Sequence, residues 1–308
     1  LDELNEKGLA KKISRIVWGG GEPTAGKEFE KTISFFEEKA PQAHHRIVTN
    51  SVLYSDVVDK LLQRGQMQFT TSVDAGTPST FSKIRGFRQS GFDKVLKNIQ
   101  KYSEAARDAI TIKYLFSFEN WHIDEIKGFL DSVRFYKLNN SIFQISVNFK
   151  FEVIEEHILK SMLYLFGGLH KLKVKAVFLD EIILQRFSEL NAERIYSLVE
   201  EVENDLEHKF YHRSSKDQKI ALWGASFNAD NLLKNSRFFK EISPVCLFDS
   251  DIRKQGKTFS GLQVKAFDPL KYSDVKILIC SVQGYAKVLE GLKNYGISEE
   301  NIVKELIL

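Results

Sequence analysis

The chain has 308 residues, 43% hydrophobic and 28% charged, with 44 Lys and Arg against 41 Asp and Glu for a net charge of +3. That size and apolar content suit one large domain or two ordinary ones with a real core, and the small, evenly mixed charge argues against a nucleic-acid partner. No signal peptide or apolar run of membrane-spanning length is visible, and the two cysteines, Cys246 and Cys280, lie in apolar runs as core thiols, so the expected setting is cytoplasmic, with no membrane partner.

In chain order, short apolar strands alternate with amphipathic helices. "KISRIVW" (12–18) reads as a strand and "GKEFEKTISFFEEKA" (26–40) as a helix. The strand "HRIVTN" (45–50), the helix "YSDVVDKLLQRG" (54–65) and the strand "MQFTTSVD" (67–74) follow. A loop then leads to the helix "FDKVLKNIQKYSEAA" (92–106), the strand "AITIKYLFSF" (109–118), the helix "HIDEIKGFLDSVRFY" (122–136) and the strand "SIFQISVNF" (141–149). The rhythm continues through a helix at 154–168, the strand "KVKAVFLD" (173–180) and a long helix at 191–210. Strands separated by helices in this way predict a parallel sheet or barrel with helices outside. The polar stretch "YHRSSKDQK" (211–219) is the expected boundary, giving domains 1–212 and 219–308. A new strand–turn–helix unit opens with "KIALWGASFNADNLLKN" (219–235), continues through the strand "PVCLFDSD" (244–251), and is followed by another unit at 275–296.

The turn "GGGEPTAGKE" (19–28) carries two readings. Gly21, Gly26 and Lys27 have the G-x-x-x-x-G-K spacing of a nucleotide-binding P-loop. Against it, Glu28 stands where a hydroxyl would bind magnesium, and Glu22 and Pro23 would put a carboxylate and a missing amide inside the phosphate cradle. In the other reading, Gly20 and Gly21 let the backbone approach a ligand closely, Glu22 and edge carbonyls accept from a cationic ammonium, and Pro23 fixes the exit.

The turn is followed in order by "TNS" (49–51), by "SVDAGTPSTFSKIRGFRQSGFDKVLKNIQKY" (72–102) and by "ITIKYLFSFENWHIDEIKGFLDSV" (110–133). With this set of motifs the chain resembles the radical S-adenosylmethionine superfamily over roughly residues 1–151, with core motifs at 13–151. The resemblance implies an α/β fold, a partial (β/α) barrel of the radical S-adenosylmethionine type, with S-adenosylmethionine across the C-terminal ends of its strands. It implies that Gly20, Gly21 and Glu22 bind the methionyl amino group, that Thr49 and Asn50 lie at the mouth, that Ser72 and Asp74 meet the ribose, and that Arg85 pairs with the methionyl carboxylate. Gln144 to Asn148 would flank the adenine, and Lys113 would either face a substrate or lie exposed at an end.

The superfamily holds a 4Fe–4S cluster on C-x-x-x-C-x-x-C, and no cysteine occurs before Cys246. The chain opens at Leu1, within an apparent helix, so the expectation is a piece of a longer protein whose first strand and cluster cysteines lie upstream. The chain as given is then inactive, and the intact protein is an enzyme that cleaves S-adenosylmethionine reductively, fed by an external electron donor. A cluster-free homologue acting as a binding or scaffold protein is the alternative, and a P-loop NTPase a lesser one. His44, His45, His122, His157 and His170 have no metal-ligand spacing, and no metal ligand is assigned. Residues 220–308 resemble a small Rossmann-like domain of enzymes of cell-surface sugar and polysaccharide biosynthesis, carried by "IALWGASFNAD", "CLFDSDIRKQGKTFSGLQV" and "ILICSVQGYAKVLEGLKNYGI". This implies a small-molecule or sugar-related substrate and a nucleotide-type ligand on Gly224, Ser226 and Asp249; a domain without ligand fits the same residues.

Overall fold

The structure is a computed structural model that describes residues 2–148, 150–151, 153–178, 180–213, 218–282 and 284–308. Residues 214–217, inside the stretch read as a domain boundary, and Phe149, the end of one expected strand, lie outside the described residues. The chain divides into two compact units, Leu1–Gln144 and Ile145–Leu308.

The first unit runs α1 (Asp2–Glu6), β1 (Arg15–Trp18), α2 (Phe29–Lys39), β2 (His44–Thr49), α3 (Asp56–Gln63), β3 (Met67–Ser72), α4 (Pro78–Arg85), α5 (Ser90–Ala105), β4 (Ile110–Phe116) and α6 (Ile123–Phe135). The division falls within β5 (Ile142–Val147). β1 to β4 pair in parallel and in sequence order, as strand–helix–strand crossovers dictate. The sheet they belong to has the order β1-β2-β3-β4-β5-β6, with β6 at Lys175–Phe178. This is the α/β fold with a parallel sheet that the alternating pattern predicts.

One face of these strands packs on helices. Trp18 meets Phe29 and Phe36 of α2 edge-on, Phe69 meets Tyr102 of α5, and Tyr114 meets Phe129 of α6. Each of those helices buries a stripe at three- and four-residue spacing, such as Phe92, Val95, Leu96 and Ile99 on α5. The loop expected at 75–91 contains α4, which Thr77 caps by accepting from the Thr80 amide and which Pro78 opens at its first turn.

The second unit contains α7 (Glu156–Lys171), β6, α8 (Glu181–Glu189), α9 (Ala192–Leu206), β7 (Ile220–Trp223), α10 (Phe227–Asn235), α11 (Arg237–Glu241), β8 (Leu247–Phe248), β9 (Thr258–Phe259), β10 (Leu262–Lys265), β11 (Lys276–Ile279), α12 (Tyr285–Asn294) and β12 (Ile302–Val303). Its own sheet has the order β12-β11-β7-β8-β10-β9, parallel except for the β9–β10 hairpin. Along β7, Ile220 and Leu222 enter one core layer and Ala221 and Trp223 the other, so both faces are covered. Glu203 on α9 is fully buried and accepts from the amides of Phe210 and Tyr211 and from Lys209 and Arg213. Burial raises its pKa, but those four donors outweigh it and hold the carboxyl down at about 2.

Candidate functional site at the strand ends

The C-terminal ends of β1, β2 and β3 lie side by side, and the motifs singled out in the sequence follow directly from them. After Trp18 the backbone turns through Gly20 at φ +84° and Gly21 at φ +129°, a region that side chains rarely enter. A Cβ placed on Gly19, Gly20 or Gly21 would meet no atom within 4 Å, so the turn faces open space. Glu22 follows in extended conformation, and its Oε1 accepts from the Thr24 amide at 3.2 Å and from Thr24 Oγ1 at 2.5 Å. The same carboxylate crosses to β2: Oε1 accepts from Thr49 Oγ1 and Oε2 from the Asn50 amide, each at 2.6 Å. Glu22 thus ties the exit of β1 to the exit of β2. Pro23 opens a single 3-10 turn, within which the amides of Ala25 and Gly26 donate to Glu22 and Pro23 carbonyls. Those amides are spent inside the loop, so a P-loop cradle is not formed, and Lys27 is exposed.

Beyond β2, Ser51 adopts φ +59° and is fully buried. Its amide donates to Thr49 Oγ1 at 3.1 Å and its hydroxyl to Thr71 Oγ1 at 2.9 Å. Asn98, on the buried face of α5, donates to the carbonyls of Ser51 and Val52, at 2.9 and 3.2 Å. Asn50 Oδ1 accepts from the Val52 amide at 3.0 Å.

Ser72 closes β3, half-buried and in register with Lys113 of β4. Asp74 follows at φ +55° and is 2% exposed. One carboxylate oxygen accepts from the Leu115 amide at 2.7 Å, and the other is ion-paired with Arg85. Burial pushes the Asp74 carboxyl up to about 6, against the pull of the Arg85 guanidinium and the Leu115 amide. The structure therefore brings Asp74 and Arg85 together as a pair. Arg85 Nε is buried without a hydrogen-bond partner.

Three polar residues not singled out in the sequence hold the strand exits, two of them at this loop. Asn120 Nδ2 donates to the Asp74 carbonyl at 2.9 Å. Glu125 of α6 accepts from the amides of Gly76 and Thr77 at 2.6 and 2.9 Å and from Thr80 Oγ1 at 3.0 Å, and Asn98 secures the β2 exit. The Gly76 backbone lies against α6 so closely that a Cβ on Gly76 would sit 1.8 Å from the Glu125 carbonyl, and one on Gly128 would sit 2.7 Å from the Gly76 carbonyl.

In the second unit, Gly224 (φ +105°) follows β7, and a Cβ on it would sit 3.0 Å from the Ser281 amide. Ser226 caps α10 and donates to the Cys280 carbonyl at 3.1 Å. Asp249 is buried, and its oxygens accept from the amides of Ala225 and Asp251 and from Lys254, at 2.8 to 3.0 Å. Cys246 and Cys280 are buried, and burial pushes the Cys280 thiol up to about 12. His170 and His208 meet at 2.8 Å, each with its pKa lowered by burial. Among the described residues no group of three or more His, Cys, Asp or Glu side chains is arranged to hold a metal ion.

Several solved structures resemble the chain at low identity. Streptococcus suis SuiB bound to S-adenosylmethionine shares 14% identity over 60% of this chain and 44% of that one, with a TM-score of 0.43. A domain of pyruvate-formate lyase-activating enzyme from Bacteroides vulgatus shares 16% over 54% of this chain and 98% of that one, with a TM-score of 0.43. anSMEcpe with bound AdoMet and the Cp18Cys peptide shares 16% over 57% of this chain and 55% of that one, with a TM-score of 0.42. The chain spans less than half the length of the SuiB chains it matches. No curated protein matches it. Residues 1–131 match the family model of the Radical SAM superfamily, whose cofactors are S-adenosylmethionine and a 4Fe–4S cluster.

Proposed function

We propose that this chain is the S-adenosylmethionine-binding body of a radical enzyme. The observation that carries it is the Glu22 carboxylate bridging to Thr49 and Asn50, which presents the glycine turn open at the mouth of the strands. Gly20 and Gly21 would receive the methionyl amino group with backbone carbonyls, while Glu22 holds the turn in place. Thr49 and Asn50 shape the mouth, and Ser72 stands beside the ribose. Asp74 and Arg85, paired with each other, fix the β3 exit; Lys113, in register with Ser72 and with no side-chain hydrogen bond or ion pair among the described residues, is left as the unpaired cation beside that exit. A 4Fe–4S cluster, when bound, supplies the electron for carbon–sulfur cleavage.

The cysteines of this chain do not fit that cluster. Cys246 and Cys280 are buried in the second unit, with raised thiol pKa values, and are far apart in sequence. The radical step therefore needs cluster ligands from outside this sequence and an external electron donor, and the chain alone binds S-adenosylmethionine without cleaving it. The domain division 1–212 and 219–308 belongs to this proposal, supported by a second sheet built wholly from strands between residues 220 and 303. The reversal of strand order between β7 and β11, with Gly224 at its C-terminal end, supports a Rossmann-like reading of that part; a sugar-related substrate and a cytoplasmic setting belong to the proposal on the sequence resemblance alone. Among the described residues no helix is long and apolar enough to cross a membrane.

The test is calorimetric titration of the chain with S-adenosylmethionine, followed by an anaerobic assay for 5′-deoxyadenosine on the full-length gene product with reconstituted iron and sulfide. Binding that is lost in Glu22→Ala, together with 5′-deoxyadenosine from the full-length protein, supports the enzyme. Binding without 5′-deoxyadenosine from a full-length protein lacking the three cysteines leaves the cluster-free binding protein.

A further inference from the structure

The strand face turned away from the helices carries a second polar site. Trp18, Phe69 and Tyr114 point to the helical layer, so their alternates point the other way. Those alternates are Arg15 and Val17 on β1, His44, Arg46 and Val48 on β2, Gln68, Thr70 and Ser72 on β3, and Thr111, Lys113 and Leu115 on β4. The face thus holds Arg15, Arg46 and Lys113, one histidine, His44, and no carboxylate. It is open at Val17 and Val48, which are 59% and 42% exposed.

Arg46 is the singular group on this face. It lies in register with Val17 on one side and Gln68 on the other. Its Nε is buried and has no hydrogen-bond partner. Among the described residues its guanidinium makes no ion pair, and the side chain of Gln68 makes no hydrogen bond. A planar fork of donors held beside a free amide, with no acid paired to it among the described residues, is the arrangement that receives a carboxylate or phosphate. Gln68 lies four residues before Ser72 on the same strand, about 13 Å lower at ~3.3 Å per residue. The Arg46 site is therefore well separated from the mouth where Ser72 and Lys113 stand. Between the two ends run Thr70 and Thr111, in register with each other.

We infer that Arg46 and Gln68 anchor an anionic group, carboxylate or phosphate, of the substrate, at the far end of the strand face from the cosubstrate. This rests on the cosubstrate-binding reading above. It restricts the substrate to molecules that carry an anion roughly 13 Å from the group presented at the mouth.

The test is nuclear magnetic resonance of the chain labelled with 15N-arginine, with the Arg46 Nε–H signal assigned by its disappearance in Arg46→Lys. Titration with inorganic phosphate at constant ionic strength is expected to move that signal saturably, and the phosphate-dependent rise in melting temperature is expected to need at least ten-fold more phosphate in Arg46→Gln. An Arg46 signal that stays in place overturns the inference, and the wild-type titration decides this even if Arg46→Gln fails to fold. S-adenosylmethionine moving the same signal in competition with phosphate also overturns it, because the anchor then belongs to the cosubstrate. A chain that binds phosphate at Arg46 but does not bind S-adenosylmethionine leaves the anion site standing and removes the cosubstrate reading.

Discussion

Oε2 of Glu22 accepts a hydrogen bond from the amide of Asn50, 28 residues later, at 2.6 Å. The partner is a backbone donor, so no rotamer change on the Asn50 side can substitute for it. Glu22→Gln keeps one acceptor oxygen but leaves either the Asn50 amide or the Thr49 and Thr24 donors facing an NH2 group. We expect a loss of about 1–3 kcal/mol of stability from the unmet donors, measured by urea unfolding, and at least a ten-fold weaker S-adenosylmethionine affinity by calorimetry. Unchanged affinity in a destabilised Glu22→Gln chain would separate the turn from ligand binding.

Asp74 gives a pH signature. Its folded pKa of about 6 lies above the unfolded value of about 3.9, so the folded chain holds the proton to higher pH. The stability this contributes is complete below about pH 4 and is lost as pH rises through about 6. Melting temperatures of the wild type minus those of Asp74→Asn should therefore fall between pH 4 and pH 7. A flat difference would mean that the Arg85 pair holds Asp74 ionised throughout.

Glu203 behaves in the opposite sense. Its pKa is held at about 2, below the ordinary glutamate value, so its contribution is present above about pH 4.3 and disappears as pH falls toward 2. Glu203→Gln should lower the melting temperature at pH 7 and narrow its gap to the wild type under acid conditions. Equal melting temperatures at pH 7 would show that the four donors around Glu203 find other partners.

Gly76→Ala is expected to be the most damaging small substitution. The added methyl would sit 1.8 Å from a helix carbonyl and 2.6 Å from the Phe129 amide, both main chain. A cost of about 3 kcal/mol or more should appear as a lower urea midpoint, with no rescue by truncating any neighbouring side chain. Gly91→Ala, whose Cβ would find only ordinary contacts at 3.5 and 3.6 Å, is the control.

The strand–helix rhythm was legible because each crossover unit repeats a buried strand and an amphipathic helix. Short elements were not: α4 hides in a segment dense with Thr, Ser and Gly, although Thr77 and Pro78 are its start signals, and the β9–β10 hairpin turns on Ser260 and Gly261, both at positive φ, inside a stretch without strong periodicity. At the site, the glycine turn, Thr49, Asn50, Ser72 and Asp74 could be found because chemistry and position coincide in short motifs. Their interactions could not: nothing in the spacing says that Asp74 and Arg85 would take each other as partners. Glu125 and Asn120 were invisible for the same reason. Each acts on main-chain groups more than 40 residues away, where only the fold brings them together.

Gly76 and Gly128 lay main chain on main chain, with no side chain between them. Most contacts between a loop and a helix are cushioned by groups that can swing aside, and this one is not. A shift of α6 toward the loop would therefore meet main chain in the segment that begins at Asp74. The loop at the β3 exit thus takes part of its placement from a helix that lines no part of the mouth, and the seating of α6 joins the Asp74–Arg85 pair in setting where that loop lies.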